Sequence, residues 1–300
     1  MLTNIKLNFQ SGTRKFLKRL NCSPIANHKH KTRRRLKNLS CYTDDGLEKM
    51  VKAWNQKHPT NKVISKDPFK IWQFFKQQFS SVCETERCWL RQKFIEHDNR
   101  DLLRYFSPDA PKTWREKPYT WLNSRDIEKM MRQYEEAYPD FEFIGPSPID
   151  FDKKVAHDEC VWDELCQFSV EKHIKSGHKK IGIIFNTDPH DESGEHWISL
   201  FVDLKRESPF IFYFDSNGDH PPKEVNVLVK RIQAQGKKIG IPFKYYDNHK
   251  MTHQMRDGQC GMYTLYFIVE LLLENKKPEF FKTTRITDEM MRDYRSIYYN

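Results

Sequence analysis

Gln254-Met255-Arg256-Asp257-Gly258-Gln259-Cys260-Gly261-Met262-Tyr263-Thr264-Leu265-Tyr266-Phe267-Ile268-Val269-Glu270-Leu271-Leu272-Leu273 joins a polar, turn-rich stretch to a long apolar run, with Cys260 at the junction. The run predicts a buried helix that opens at Cys260. A helix start carries free backbone N–H groups and the positive end of the dipole, and both favour thiolate over thiol. A cysteine there is a candidate nucleophile.

A nucleophilic cysteine needs a base, and the base needs a group to orient it. Residues 196–203 and 208–215 are apolar, aromatic or β-branched runs separated by the polar Leu204-Lys205-Arg206-Glu207, which predicts a hairpin. If that loop closes symmetrically, paired residue numbers sum to 411 and His196 faces Asp215. Their Cβ atoms are then about 4.5–5.5 Å apart. The turn residues Ser216-Asn217-Gly218 end the second strand directly after Asp215.

Taken alone, each residue has an ordinary role. Most of seven cysteines are inert, His196 is one of twelve histidines, Asp215 before Ser-Asn-Gly suits a turn, and a glutamine on a polar loop is normally solvated. The joint arrangement carries the reading.

That arrangement, His-Trp, then Asp some twenty residues on, then Gln-x5-Cys-Gly leading into an apolar helix, resembles the clan of SUMO-specific and adenovirus-type cysteine proteases. Within the clan it is most similar to the polyprotein-processing proteases of African swine fever virus and other large DNA viruses. The segment Gly145-Pro146-Ser147-Pro148-Ile149-Asp150-Phe151, the Gln-Cys-Gly-Met-Tyr helix start and an added N-terminal region carry that closer likeness. The resemblance implies a His196, Asp215 and Cys260 triad, with Gln254 donating its side-chain amide to an oxyanion hole. Trp121-Leu122-Asn123 is similar to the family's Trp-Leu-Asn element, so Trp121 and Trp197 are implied to flank small substrate residues; core packing is the ordinary alternative for each.

The chemistry then follows. His196 takes the Cys260 proton, or already holds it as an imidazolium, and Asp215 fixes its tautomer. Attack on a scissile carbonyl gives an oxyanion held by the Gln254 amide and the Cys260 backbone N–H.

Three hundred residues, 38% apolar and 14% aromatic, are expected to bury a sizeable core in one or two domains. No apolar stretch approaches a membrane span and the N-terminus has no signal-peptide core, so no membrane partner is expected. Seven cysteines without framework spacing suggest a reducing compartment. Cys83-x4-Cys88 and Cys160-x5-Cys166 are poor zinc pairs, because no second pair accompanies either, and no metal or other bound cofactor is expected.

Charge is uneven. Residues 1–40 hold eleven Lys or Arg and no Asp or Glu, whereas residues 41–300 hold forty against forty-one, so the net charge of +10 belongs to the N-terminal arm. Arg33, Arg34, Arg35 and Lys37 form its densest part and are candidates for binding DNA, which is expected to tether or activate the enzyme; a nuclear-import signal and a solvated tail are the alternatives.

Three regions are expected: a flexible basic tail over 1–40, a helical module over 41–112 and a catalytic domain over 113–300. In the module, Asp44 or Asp45 caps a helix through Leu47, Met50, Val51 and Trp54, and Asp67-Pro68 starts another rich in aromatic residues. Those aromatics pack against the catalytic domain or bind a partner. The catalytic domain is read as a helix from Ser124, a turn at Gly145-Pro146, a helix near 162–175, strand 180–185, a mobile loop 186–195, the hairpin, helix 224–235 and strand 242–246. Interleaved helices and strands around a central mixed sheet predict an α+β fold of the papain-like, adenain-like kind.

The expected function is that of a cysteine endopeptidase cleaving viral structural or core polyproteins after small residues, at Gly-Gly-x-like sites. Virion and host cytoplasm are the expected locations, with the nucleus as alternative. An isopeptidase acting on ubiquitin-like modifiers, and a catalytically inactive DNA-binding virion protein, are the other readings.

Overall fold

The computed structural model describes residues 21–29, 36, 39–95, 100–205 and 207–300; Arg33, Arg34, Arg35 and Lys37 lie outside them. These residues divide into two units, one running up to Asp109 and including Ser296–Asn300, the other spanning Ala110–Arg295.

In the first unit, helices α1 (Pro24–Lys29), α2 (Asp44–Lys57), α3 (Pro68–Gln78) and the single turn α4 (Arg100–Leu103) surround an aromatic centre. Thr43, rather than Asp44 or Asp45, caps α2 by accepting from the Gly46 N–H, while Asp67 caps α3 with Pro68 at its first turn. The aromatic residues bury one another. Trp54 meets Phe74, Phe75, Phe79 and Phe94 with ring centroids 5.3–6.0 Å apart, and Phe75 stacks on Phe94 at 5.6 Å. Each such ring removes a large apolar area from water, and the edge-to-face geometry adds about 0.5–1.5 kcal/mol per pair. The unit therefore has a core of its own, which neither expectation for its aromatics provided. Its chain ends are stitched by Asn21 Nδ2 donating to the Tyr299 carbonyl at 3.2 Å and Asn300 N–H donating to the Pro108 carbonyl at 2.8 Å.

The second unit is built on one five-stranded mixed sheet in the order β1 (Phe141–Ser147), β2 (Lys180–Asn186), β3 (Trp197–Asp203), β4 (Phe210–Phe214) and β5 (Lys244–Asp247). The outer pairs are parallel and the two inner pairs antiparallel. Sequence reading placed a turn where β1 runs, because Gly145-Pro146 punctuates it. β1 is an edge strand, where a proline costs no ladder bond, and its register breaks between Ile144 and Ser147 to accommodate it.

Both faces of the sheet are covered, as the apolar strands require. Ile183, Leu200, Val202, Ile211 and Tyr213 share a core with Val225, Leu228, Val229 and Ile232 of α8 (Lys223–Lys238). On the other face Phe212 and Phe214 meet Phe267 of α9 (Cys260–Leu272), at 5.1 and 4.6 Å. All thirteen residues of α9 are buried. Such burial contributes roughly 1.5–3 kcal/mol per large apolar side chain and holds the helix start in one place.

Five further helices complete the unit. α5 (Ser124–Ala137) opens with a capping box between Asn123 and Asp126. The helix expected near 162–175 is two short ones, α6 (Asp163–Cys166) and α7 (Val170–Lys175). α10 (Pro278–Thr283) and α11 (Asp288–Tyr298) follow α9. No helix among the described residues is long and apolar enough to cross a membrane. The fold is α+β.

Candidate active site

The hairpin brings His196 and Asp215 together by a different register from the symmetric one. Its loop is longer, so Asp203 pairs with Phe210 and Ser199 with Phe214, and paired numbers sum to 413. Asp215 is then diagonal to His196 rather than opposite it. The slip is by two residues, and an even slip keeps both side chains on the same face. His196 Nε2 and Asp215 Oδ1 are 2.7 Å apart.

Asp215 is fixed from several sides. Its backbone N–H donates to Asn248 Oδ1 at 2.9 Å, and Asn248 Nδ2 donates back to its carbonyl at 2.6 Å. The Asn217 N–H donates to Oδ1 at 2.9 Å, and the Gly218 N–H to the Asp215 carbonyl at 3.0 Å. The carboxylate, 3% exposed, thus has its charge met by hydrogen bonds rather than by water.

Cys260 is buried at the first residue of α9, near enough to the same imidazole to act on its pKa. Nε2 faces Asp215, which leaves Nδ1 for the thiol. Burial opposes the charged imidazole, but hydrogen bonds to Asp215 and Cys260 and their negative charges outweigh it, so the His196 pKa is raised to about 10.

The approach to Cys260 needs a glycine. Gly258 has φ +88°, and a Cβ there would lie 2.2 Å from the Tyr119 carbonyl oxygen. The Arg295 guanidinium, buried over the Trp114 ring at 4.3 Å, donates to the carbonyls of Gly258 at 2.6 Å and Thr120 at 3.0 Å. Asp288 accepts from the Tyr263 hydroxyl at 2.9 Å and the Met255 N–H at 3.2 Å. Nothing in the local sequence signals Arg295 or Asp288, which lie on α11.

Gln254 sits beside Ser216. The Ser216 carbonyl accepts from the His253 and Gln254 N–H groups at 2.8 and 2.9 Å, and its hydroxyl donates to Gln254 Oε1 at 2.9 Å. That contact sets the amide orientation and leaves the NH2 end for another acceptor. His253 is fully buried: its Nδ1 accepts from the Ile286 N–H at 3.0 Å and its Nε2 donates to the Phe281 carbonyl at 3.0 Å.

Trp197 is buried and its indole N–H donates to the Leu122 carbonyl at 2.9 Å, which ties the Trp-Leu-Asn segment to the strand. Trp121 is 45% exposed. Both indoles line an open cleft of about 630 Å³ with Asn186, Asp188 and Gly194. Cys260 does not line that cleft, which runs up to Trp197, the neighbour of His196. The loop expected to be mobile is fastened: the Asp188 N–H donates to Asn186 Oδ1 at 2.9 Å, the Gly194 N–H to Asp188 Oδ2 at 3.0 Å, and the Thr187 N–H to the His196 carbonyl at 2.9 Å.

The other six cysteines correct the expectation of free thiols. Cys22–Cys41, Cys83–Cys88 and Cys160–Cys166 are disulfides, with Cα atoms 5.0, 5.5 and 6.3 Å apart, and Cys260 is free. The last two are the pairs that sequence spacing rejected as zinc sites.

The C-terminal catalytic domain of the Ulp1 protease family matches residues 171–300. A thiol protease of Acanthamoeba polyphaga mimivirus is 30% identical over 259 residues, covering 78% of this chain and 81% of that protein. The SUMO-1 cysteine protease of African swine fever virus is 26% identical over 270 residues, covering 83% of this chain and 97% of that protein. The crystal structure of the African swine fever virus protease aligns with a TM-score of 0.62 at 24% identity, over 81% of this chain and 94% of that one, and so shares the fold. The family match takes in the hairpin that presents His196 and Asp215, the Gln254 loop and the buried helix headed by Cys260. On these grounds the chain belongs to the Ulp1 protease family and is a cysteine protease.

Proposed function

We propose that Cys260, His196, Asp215 and Gln254 are the catalytic set of an endopeptidase that cleaves polyproteins after small residues, viral structural or core polyproteins in particular. The observation that carries this reading is one imidazole held between a buried carboxylate and the free cysteine at the head of a buried helix.

In the mechanism this geometry supports, His196 keeps its proton and Cys260 attacks as thiolate. The bond from Sγ to the scissile carbonyl carbon forms, and its oxygen takes the charge, facing the Gln254 NH2 group and the Cys260 N–H. The tetrahedral species collapses, and His196 gives its proton to the leaving amine. A water then attacks the thioester, with His196 taking the water's proton, and the acid product leaves. Asp215 steadies the imidazolium throughout, since it is fixed before substrate arrives. Trp121 and Trp197 restrict the residues before the scissile bond to small ones.

Incubation of the protein and its Cys260→Ala variant with peptides carrying Gly-Gly-x and Ala-Gly-x junctions, alongside folded SUMO and ubiquitin precursors, tests the reading by mass spectrometry. Peptide cleavage absent from the variant is the expected result. Cleavage confined to folded precursors favours a second reading, an isopeptidase, which the likeness to the SUMO-1 cysteine protease of African swine fever virus supports. No turnover by either protein overturns both.

The basic arm belongs to the same proposal. Arg33, Arg34, Arg35 and Lys37 bind DNA through phosphates and keep the enzyme near its substrate, in the virion or in host cytoplasm. Deleting residues 1–40 is expected to abolish salt-sensitive DNA binding and to spare peptide cleavage; equal DNA affinity without them removes the tether.

A further inference from the structure

Glu142, His173 and His178 meet at the end of the sheet away from His196. Glu142 is the second residue of β1 and pairs with Ile181 near the start of β2, whereas Trp197 pairs with Asn186 at the other end of β2. Five residues of strand separate the two places, on the order of 17 Å.

Local folding brings the three side chains together. α7 ends after Lys175, Gly177 takes φ +87°, and the His178 N–H donates to the His173 carbonyl at 3.0 Å, so the chain doubles back and sets His178 beside His173. The two Nδ1 atoms then converge on one carboxylate oxygen. His173 Nδ1 is 2.5 Å and His178 Nδ1 is 2.6 Å from Glu142 Oε2, and all three ligand atoms lie within 4.8 Å of one another.

Hydrogen bonding accounts for only part of this cluster. Oε2 takes the His173 contact, but the buried Nδ1 of His178 makes no aligned hydrogen bond despite its proximity. The cations of the flanking segments are engaged elsewhere: Lys179 with Asp140 at 3.5 Å, Lys180 with Glu274 at 2.8 Å, Arg132 with Glu135 at 2.6 Å. Among the described residues no ammonium or guanidinium pairs with the three donors. Two imidazole nitrogens and a carboxylate oxygen, on three separate elements, match the donor set of a zinc-class ion with a fourth position left for water.

We propose that Glu142, His173 and His178 bind a divalent zinc-class cation that staples the turn after α7 to β1. Binding places the imidazole protons on Nε2 and turns both Nδ1 lone pairs to the ion. The ligand oxygen and each nitrogen, now 2.5 and 2.6 Å apart, open by about 0.8 Å to the spacing that tetrahedral metal bonds of about 2.0–2.2 Å require. The site stands at the far end of β2 from His196, so the ion takes no part in the thiol chemistry.

The test uses the full-length Cys260→Ala protein, since an active-site thiolate beside an imidazole would itself take zinc. After chelator treatment and desalting, Zn2+ is titrated against a chromophoric competitor and Co2+ binding is read by absorption. One equivalent of Zn2+ is expected, together with Co2+ bands lacking thiolate charge transfer and a rise in melting temperature. His178→Gln and Glu142→Gln, checked for folding by circular dichroism, are each expected to weaken Zn2+ at least about tenfold. Absence of stoichiometric Zn2+ in the Cys260→Ala protein overturns the proposal, as does undiminished affinity in both variants. Zn2+ bound only while Cys260 is intact assigns the ion to the active site and overturns it equally.

Discussion

The two ends of the central sheet each join a carboxylate to imidazole, and they do so differently. At one end Asp215 is 3% exposed, serves a single imidazole and has its own backbone gripped by Asn248 and by the turn that follows it. At the other, Glu142 lends one oxygen to two imidazoles while its side chain is 27% exposed. The first arrangement fixes one proton in one orientation, as catalysis needs. The second gathers donors around a point, as an ion needs. What distinguishes them is how completely each carboxylate is satisfied before any ligand arrives.

Breaking the catalytic end has the largest expected effect. Asp215→Asn preserves shape but lets His196 adopt the wrong tautomer, and kcat/KM is expected to fall by about 10⁴ with the fold retained. The same variant sharpens the comparison by pH. With its pKa raised to about 10, His196 keeps its proton across neutral pH, so the NMR signals of its ring protons should titrate near that value. Without the Asp215 charge the imidazolium is lost at lower pH, and the midpoint of this titration should move down. An unchanged profile would show that Asp215 does not hold the proton.

Gln254→Ala comes next, with an expected loss of about 10²–10³ in kcat, measured on a cleavable peptide. Ser216→Ala removes only the hydroxyl that orients the Gln254 amide, and a smaller loss, roughly tenfold, is expected; equal losses in the two variants would mean that the amide and the hydroxyl act as one unit.

Asn248→Ala tests the clamp rather than the charge. It leaves the Asp215 N–H buried without its partner, so stability should fall by about 1–3 kcal/mol in urea unfolding. The loss should exceed that of an exposed polar residue such as Asn61 replaced by Ala.

Mild acid probes a group outside the comparison. Burial holds the His253 pKa down, with the nearby Arg285 charge adding to it against the Phe281 hydrogen bond, and lowers it to about 4. The unfolded chain takes this proton near pH 6.5, the native one only near 4. Stability is therefore complete above about 6.5 and falls as pH drops through 4, by roughly 3 kcal/mol in all. Thermal melts from pH 7 to 4 should show this fall, and His253→Gln should flatten it.

The meeting of His196 with Asp215, and the place of Cys260 at the head of a buried helix, were legible in sequence because they rest on local patterns: an apolar run headed by Cys260, and a hairpin whose ends carry His196 and Asp215. The hairpin register was missed by two residues, since loop length is set by turn geometry rather than by hydrophobic pattern. β1 escaped notice because Gly145-Pro146 marks a turn everywhere except on an edge strand. Arg295, Asp288 and Asn248 were beyond reach for another reason: each acts by touching a backbone segment distant in sequence, and no local spacing records such contacts. The same is true of the six paired cysteines, whose partners sequence cannot assign.

The stitching of residues 296–300 to residues 21 and 108 makes the second unit, in chain order, an insertion within the first. A ribosome delivers the first unit's aromatic centre early and its closing segment only after nearly two hundred intervening residues have emerged. The protease sheet can therefore form before the unit that encloses it in sequence is complete, and a tag or truncation at the C-terminal segment would be felt first by the N-terminal half.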